Sequence, residues 1–193
     1  MKPLNSTITK ASRYTSVRVH GNSAHIESTS PEPGKIVKVS RQAKGTLIQS
    51  NYPAQVEVYF SIPSPLIVDK KFSLASIFRR LFSGPVEKVF EGSRLHVVRV
   101  EVYVGEKNAV NLGLLRVMDG DRYLVNTQVS ALPLIDANAD PYFEESTGSI
   151  VLELNHEVQT ALGVELSATF TNFDLEENHL QLIAAKAVFV TGA

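Results

Sequence analysis

RLHVVRVEVYV, residues 94–104, sets Val98, Val100, Val102 and Val104 on one side of an extended chain and Arg99, Glu101 and Tyr103 on the other. Successive side chains of a strand point to opposite faces, so this alternation describes a strand with one buried and one polar face. The same period recurs from residue 35 onward in KIVKVS, GTLIQS, AQVEVYFSI, AVNLGLLRVM, RYLVNTQVS, SIVLELN, VELSATFTNF and LQLIAAKAVFV, with Gly, Asn, Asp or Pro between the segments. About eight to ten such strands in one chain predict a mostly β protein, a sandwich or a barrel. His96 begins the valine face, where a hydrogen-bonded histidine at the margin of a core is expected rather than a general base.

Two segments break the strand pattern. In FSLASIFRRLFSGP, residues 72–85, Leu74, Ile77, Phe78, Leu81 and Phe82 follow helical spacing, Ser73 is the N-cap, and Gly84-Pro85 closes the end. The opposite face of this predicted helix carries Arg79 and Arg80, which either solvate it or meet a phosphate or an acidic partner. NHEVQTALG, residues 155–163, predicts a second short helix capped by Asn155 and stopped by Gly163.

At 193 residues with 44% apolar and 20% charged content, the chain suits one soluble domain with a filled core. No apolar run reaches the roughly eighteen residues of a membrane span, so no membrane insertion is expected. The leading MKPLNSTITKAS lacks the apolar centre of a secretory signal and cysteine is absent, which predicts synthesis and use in a reducing cytosol. Residues 1–34 are rich in Ser, Thr, Asn and Pro and break at STSPEPGK; they read as an arm ahead of a β domain over 35–193, although TSVRVHG within them can pair as an edge strand.

The net charge of −1 hides an asymmetry. Residues 1–44 carry eight basic groups, Lys2, Lys10, Arg13, Arg18, Lys35, Lys38, Arg41 and Lys44, against Glu27 and Glu32, a net of +6, whereas the remainder carries 11 basic and 18 acidic groups, a net of −7. A basic leading segment on an acidic body suits contact with a polyanion, because each neutralised phosphate releases counterions. The alternative is that spread-out charges only solvate an N-terminal arm.

Catalytic signatures are missing. The five histidines have no zinc-ligand spacing, and no nucleophile elbow, phosphate loop or dinucleotide fingerprint occurs, so no enzymatic activity and no resident cofactor are expected. DANADPYFEEST, residues 136–147, comes closest to a metal motif: Asp136, Asn138 and Asp140 match three calcium-loop ligand positions. Pro141 then stands where glycine is needed and Thr147 where a bidentate glutamate is needed, which excludes an EF-hand. A looser calcium site remains open, with Asp136 and Asp140 meeting Asp119 or Asp121 at a subunit boundary. In MDGDR, Asp-Gly predicts a tight hairpin turn.

RLHVVRVEVYVGEKNAVNLGLLRVMDGD resembles the central strand pair of the jelly-roll coat proteins of small positive-strand RNA plant viruses, and VELSATFTNF with LQLIAAKAVFV resembles their last two strands. The resemblance implies an antiparallel two-sheet jelly-roll sandwich with one or two short helices. It also implies self-assembly into a shell, a basic arm facing packaged viral RNA, and residence in the virion and, during assembly, in host cytoplasm. The same stretches are similar to plant-virus cell-to-cell movement proteins, whose L-x-D-x-R element is approached by RVMDGDR with Arg122 one residue late; that resemblance implies single-stranded RNA binding without a closed shell. A non-viral β-sandwich binding module, taking a glycan on exposed aromatics such as Tyr142 and Phe143, is the third expectation.

Overall fold

The computed structural model describes residues 13–28, 33–65, 94–135 and 148–191. The helix expected over 72–85 with Arg79 and Arg80, the acidic stretch with Asp136 and Asp140, and Lys2 and Lys10 lie outside the described residues. Twelve strands appear among those described: β1 (Arg13–His20), β2 (His25–Ser28), β3 (Val37–Gln42), β4 (Gly45–Ser50), β5 (Gln55–Ile62), β6 (Leu95–Asn108), β7 (Val110–Asp119), β8 (Arg122–Gln128), β9 (Leu134–Ile135), β10 (Gly148–Glu157), β11 (Leu162–Phe170) and β12 (His179–Thr191). They form two antiparallel sheets. One runs β3-β4-β12-β6-β10-β9 with β1 also on β12, and the other runs β2-β5-β11-β7-β8.

The eight strands from β4 onward, leaving out the two-residue β9, pair outermost with outermost: β4 with β12, β5 with β11, β6 with β10, and β7 with β8. The chain is therefore one long antiparallel ribbon folded across two sheets. Its inner faces supply the core, with Ile48, Phe60, Ile62, Leu115, Ile150, Leu162, Leu166, Leu180, Leu182 and Phe189 all essentially buried. Each such side chain contributes about 1.5–3 kcal/mol on burial, which is why strand alternation decides the fold. β5 is the plainest case: Val56, Val58, Phe60 and Ile62 are buried, and Gln55 and Ser61 are exposed.

Several expectations change. The core face of β6 is Leu95, Val97, Val100, Val102 and Val104, with Val98 left outside the buried core. Arg99 pairs with Val188 and Val97 with Phe189, so β6 spends one more residue than β12 there, and Val98 is the extra one. A bulge of this kind shifts the phase of everything before it. His96 accordingly leaves the valine face, and its Nδ1 lies 3.1 Å from the Asn155 side-chain oxygen.

The helix expected from Asn155 is absent. Residues 155–157 complete β10, 158–161 turn, and β11 begins at Leu162. A pattern of short apolar spacing was overridden by sheet pairing, and only two 3₁₀ turns, Gly21–Ser23 and Val129–Ala131, occur among the described residues.

The alternative that TSVRVHG pairs as a strand is the one seen. β1 pairs with β12 from Arg13↔Thr191 to His20↔Ala184, and β2 pairs with β5, so residues 13–28 add a strand to each sheet.

β12 holds the first sheet together. Along one edge it pairs with β6; along the other it pairs first with β4, over His179–Leu182, and then with β1, over Ala184–Thr191. At the changeover Gly21 and Gly45 press against the Leu182 carbonyl, where an added Cβ would stand 2.0 and 2.2 Å from the oxygen. The expected hairpin is present as well: Asp119 pairs with Arg122, and Gly120 supplies a φ of 61°.

Candidate nucleic-acid interface

β3 is an edge strand, and the segment from Lys35 to Lys44 is basic with no acidic residue. Alternation puts Lys38 on the outer face of the sheet, in the row Lys38↔Gln49↔His179. Arg41 is exposed, and its Nη1 donates to the Asn22 carbonyl at 2.9 Å, which fixes the β3–β4 turn onto the Gly21–Ser23 turn. The Asn22 amide donates in return to the Gln42 carbonyl at 2.7 Å, and the buried Thr46 hydroxyl donates to Gly21. Lys44 is exposed in that same turn. Lys35 stands 5.5 Å from the centroid of the Tyr52 ring. Arg13 contributes its backbone to β1.

Arg18 lies elsewhere, on the outer face of the seven-stranded sheet, 5.4 Å from the centroid of the Tyr103 ring. The sequence places Arg18, Lys186 and Glu101 far apart; strand pairing lines them up as Arg18↔Lys186↔Glu101. Glu101 is almost fully buried. Its carboxylate accepts from the Tyr103 hydroxyl and from Lys186 Nζ at 3.1 Å, and Arg99 reaches it at 3.6 Å. Arg99 also pairs with Glu153 at 2.6 Å, and that hydrogen-bonded carboxylate raises the guanidinium pKa against the opposing effect of burial. Arg99, Lys186, Glu101 and Glu153 each have an opposite partner, which locks β12, β6 and β10 together, and Arg18 of β1 lies over the Tyr103 ring.

The predicted basic residues therefore divide. Exposed Arg41 and Lys44 sit at the β3–β4 turn, Lys35 and Lys38 sit toward the start of β3, and exposed Arg18 lies over Tyr103 on the neighbouring face. An exposed cationic edge of this kind can neutralise phosphates without reading bases.

The outer face of the five-stranded sheet carries a second polar row, His25↔Tyr59↔Glu165↔Arg116↔Asn126, with Glu27↔Glu57↔Ser167 beside it. Glu165 is nearly buried and ion-paired to Arg116. Burial pushes its carboxyl pKa up, the Arg116 guanidinium opposes this, and the neighbouring Glu57 adds to the rise. The Tyr59 phenol is also raised, first by burial and then by Glu165, Glu27 and Glu57. One Glu57 oxygen is buried without a hydrogen-bond partner. Alternation marks Glu57 and Glu165 as polar-face residues, but only strand pairing brings them together.

Asp119, considered as a calcium ligand, has another occupation. Its two oxygens accept from the Gln159 N–H at 2.9 Å, the Thr160 N–H at 2.8 Å and the Thr160 hydroxyl at 2.6 Å, with Arg122 at 3.7 Å. Burial alone would raise its pKa; these hydrogen bonds and the Arg122 charge outweigh burial and lower it. The carboxylate thus holds the turn before β11, which removes it from the expected metal set. Among the described residues no group of three or more His, Asp or Glu is arranged to hold a metal ion. Nor is any helix among them long and apolar enough to cross a membrane. No protein-family model matches the sequence, and no curated protein matches it.

Proposed function

We propose that the protein is a coat protein that assembles with copies of itself into a closed shell around viral RNA. The observation that carries this reading is the strand pairing: an eight-stranded ribbon closed outermost on outermost across two sheets is the order of a jelly roll, a fold used by viral shells among other proteins. Fold alone does not fix function. The charge layout adds to it, since the basic groups of residues 1–44 continue onto the exposed Arg41–Lys44 turn while the body is acidic. In this reading Arg41 and Lys44, with the basic groups of the leading segment, face the RNA. The contacts around buried Glu101 and Tyr103, with Lys186 and Arg18, keep the seven-stranded sheet rigid enough to repeat the same contacts between copies.

Light scattering on the size-fractionated protein, with negative-stain images of its largest fraction, tests the proposal. Uniform closed particles containing nucleic acid are the expected result. A monomer that binds single-stranded RNA cooperatively would transfer the assignment to a movement protein, and a monomer with no affinity for RNA would overturn both.

A further inference from the structure

The turn between β11 and β12 carries an unusual surface. Phe173 is 73% exposed and is followed by Asp174, Glu176 and Glu177, all exposed. The turn is held in one shape from within: the Phe173 N–H donates to the Asn172 side chain at 2.7 Å, the Glu176 N–H to the Asp174 side chain at 2.8 Å, and the Asn178 N–H to the Asp174 carbonyl at 2.9 Å. Fully buried Asn178 ties it to β4 by donating to the Ser50 carbonyl at 3.0 Å. The aromatic ring is thus presented at low entropic cost, as a binding anchor requires.

Beside this acidic turn lies a basic and apolar edge. Gln49 donates to the Leu175 carbonyl at 3.3 Å, and its strand neighbours on either side are Lys38 and His179. Two steps of about 4.8 Å separate Lys38 from His179. The Nδ1 of His179 lies 3.1 Å from the Glu176 carbonyl. Ile36, 55% exposed, stands two residues before Lys38 and is held by Asn51. Cation and apolar group on one side, and carboxylates and apolar group on the other, therefore share one end of the seven-stranded sheet.

A surface that carries both halves of a contact side by side is complementary to itself after a half-turn. We infer that this end of the sheet is a two-fold contact between copies of the chain, in which Phe173, Asp174, Glu176 and Glu177 of each copy meet Ile36 and Lys38 of the other. The inference rests on the self-assembly reading and gives it a specific surface. It also separates Lys38 from the RNA-facing set and leaves Arg41 and Lys44 at the far end of the β3–β4 hairpin for that role.

Sedimentation velocity of the full chain, with nucleic-acid content read from the 260/280 nm ratio, tests it using Lys38→Glu, Glu176→Lys and Phe173→Ser, each first checked for native circular dichroism. Each charge reversal should weaken association at least about tenfold by setting like charges opposite one another. Mixing Lys38→Glu with Glu176→Lys in equal amounts should restore it, because both contacts of the mixed pair are again opposite in sign. Folded variants that associate like the parent would overturn the contact while leaving self-assembly in place. Lys38→Glu that loses nucleic acid and still associates would return Lys38 to the RNA-facing set. A parent chain monomeric at every concentration would overturn the shell reading and this contact with it.

Discussion

Replacing Asp119 by Ala removes the acceptor of three hydrogen bonds at once. A hydrogen bond to a charged group is worth roughly 1.5–3 kcal/mol when one partner is deleted. Gln159 and Thr160 are exposed, so their freed donors regain water and the losses do not sum fully. Arg122 adds little, since its guanidinium is more than half exposed. The expected loss is about 2–4 kcal/mol, a large share of the 5–15 kcal/mol typical of a domain. With an m-value near 2 kcal/mol/M, the urea midpoint should fall by about 1–2 M. Circular dichroism is the suitable probe because the chain has no tryptophan. The pH dependence gives a second reading. A carboxylate whose folded pKa lies below its ordinary value of 3.8 stabilises fully above that value and loses its contribution as pH falls through the folded one. Parent and variant should therefore converge in acid. A midpoint change below about 0.3 M at neutral pH, or a deficit that persists unchanged in acid, would refute the assignment of Asp119 as the anchor of the turn.

Other outcomes follow from separate features. Gly45→Ala combines a φ of 128° with a Cβ 2.2 Å from the Leu182 oxygen, and should cost at least about 3 kcal/mol or prevent folding, read by urea unfolding. Ala109 holds a φ of 50°, so Ala109→Gly should leave stability unchanged or raise it by up to about 1 kcal/mol in the same assay. Glu165 has a raised folded pKa, so its protonated form favours folding below the ordinary 4.5 and that advantage is lost as pH rises through the folded value; Glu165→Gln should flatten this part of the stability profile. Arg41→Ala with Lys44→Ala should lower the slope of log affinity for RNA against log salt by up to about 2, measured by fluorescence anisotropy.

Alternation made the strands legible, because β-branched residues at every second position must bury one face wherever the strand pairs. It marked the segments that hold β5 and most of β11 as strands, and the DG turn after β7. It misplaced Val98 and His96, because a bulge depends on what the neighbouring strand does and leaves no local mark. The helix expected at Asn155 failed for a related reason: helical spacing over so short a stretch carries less energy than completing the ladder with β6. The charge split was visible as composition. The division of those charges among a solvent-facing turn and two aromatic contacts was not, since Arg18 meets Tyr103, and Glu101 meets Lys186, only through pairings between distant segments.

The tandem edge of β12 has a consequence for how the chain comes together. β1, β4 and β6 all precede the strand they share, and until β12 is made each has an unpaired edge that carries apolar side chains. During synthesis the first sheet can exist only as sticky halves, a state prone to pair with other chains. Contacts so remote in sequence also close slowly. Removal of β12 would then act as a switch rather than a graded loss, since one missing strand leaves β1 without a partner and β4 and β6 each with an open edge.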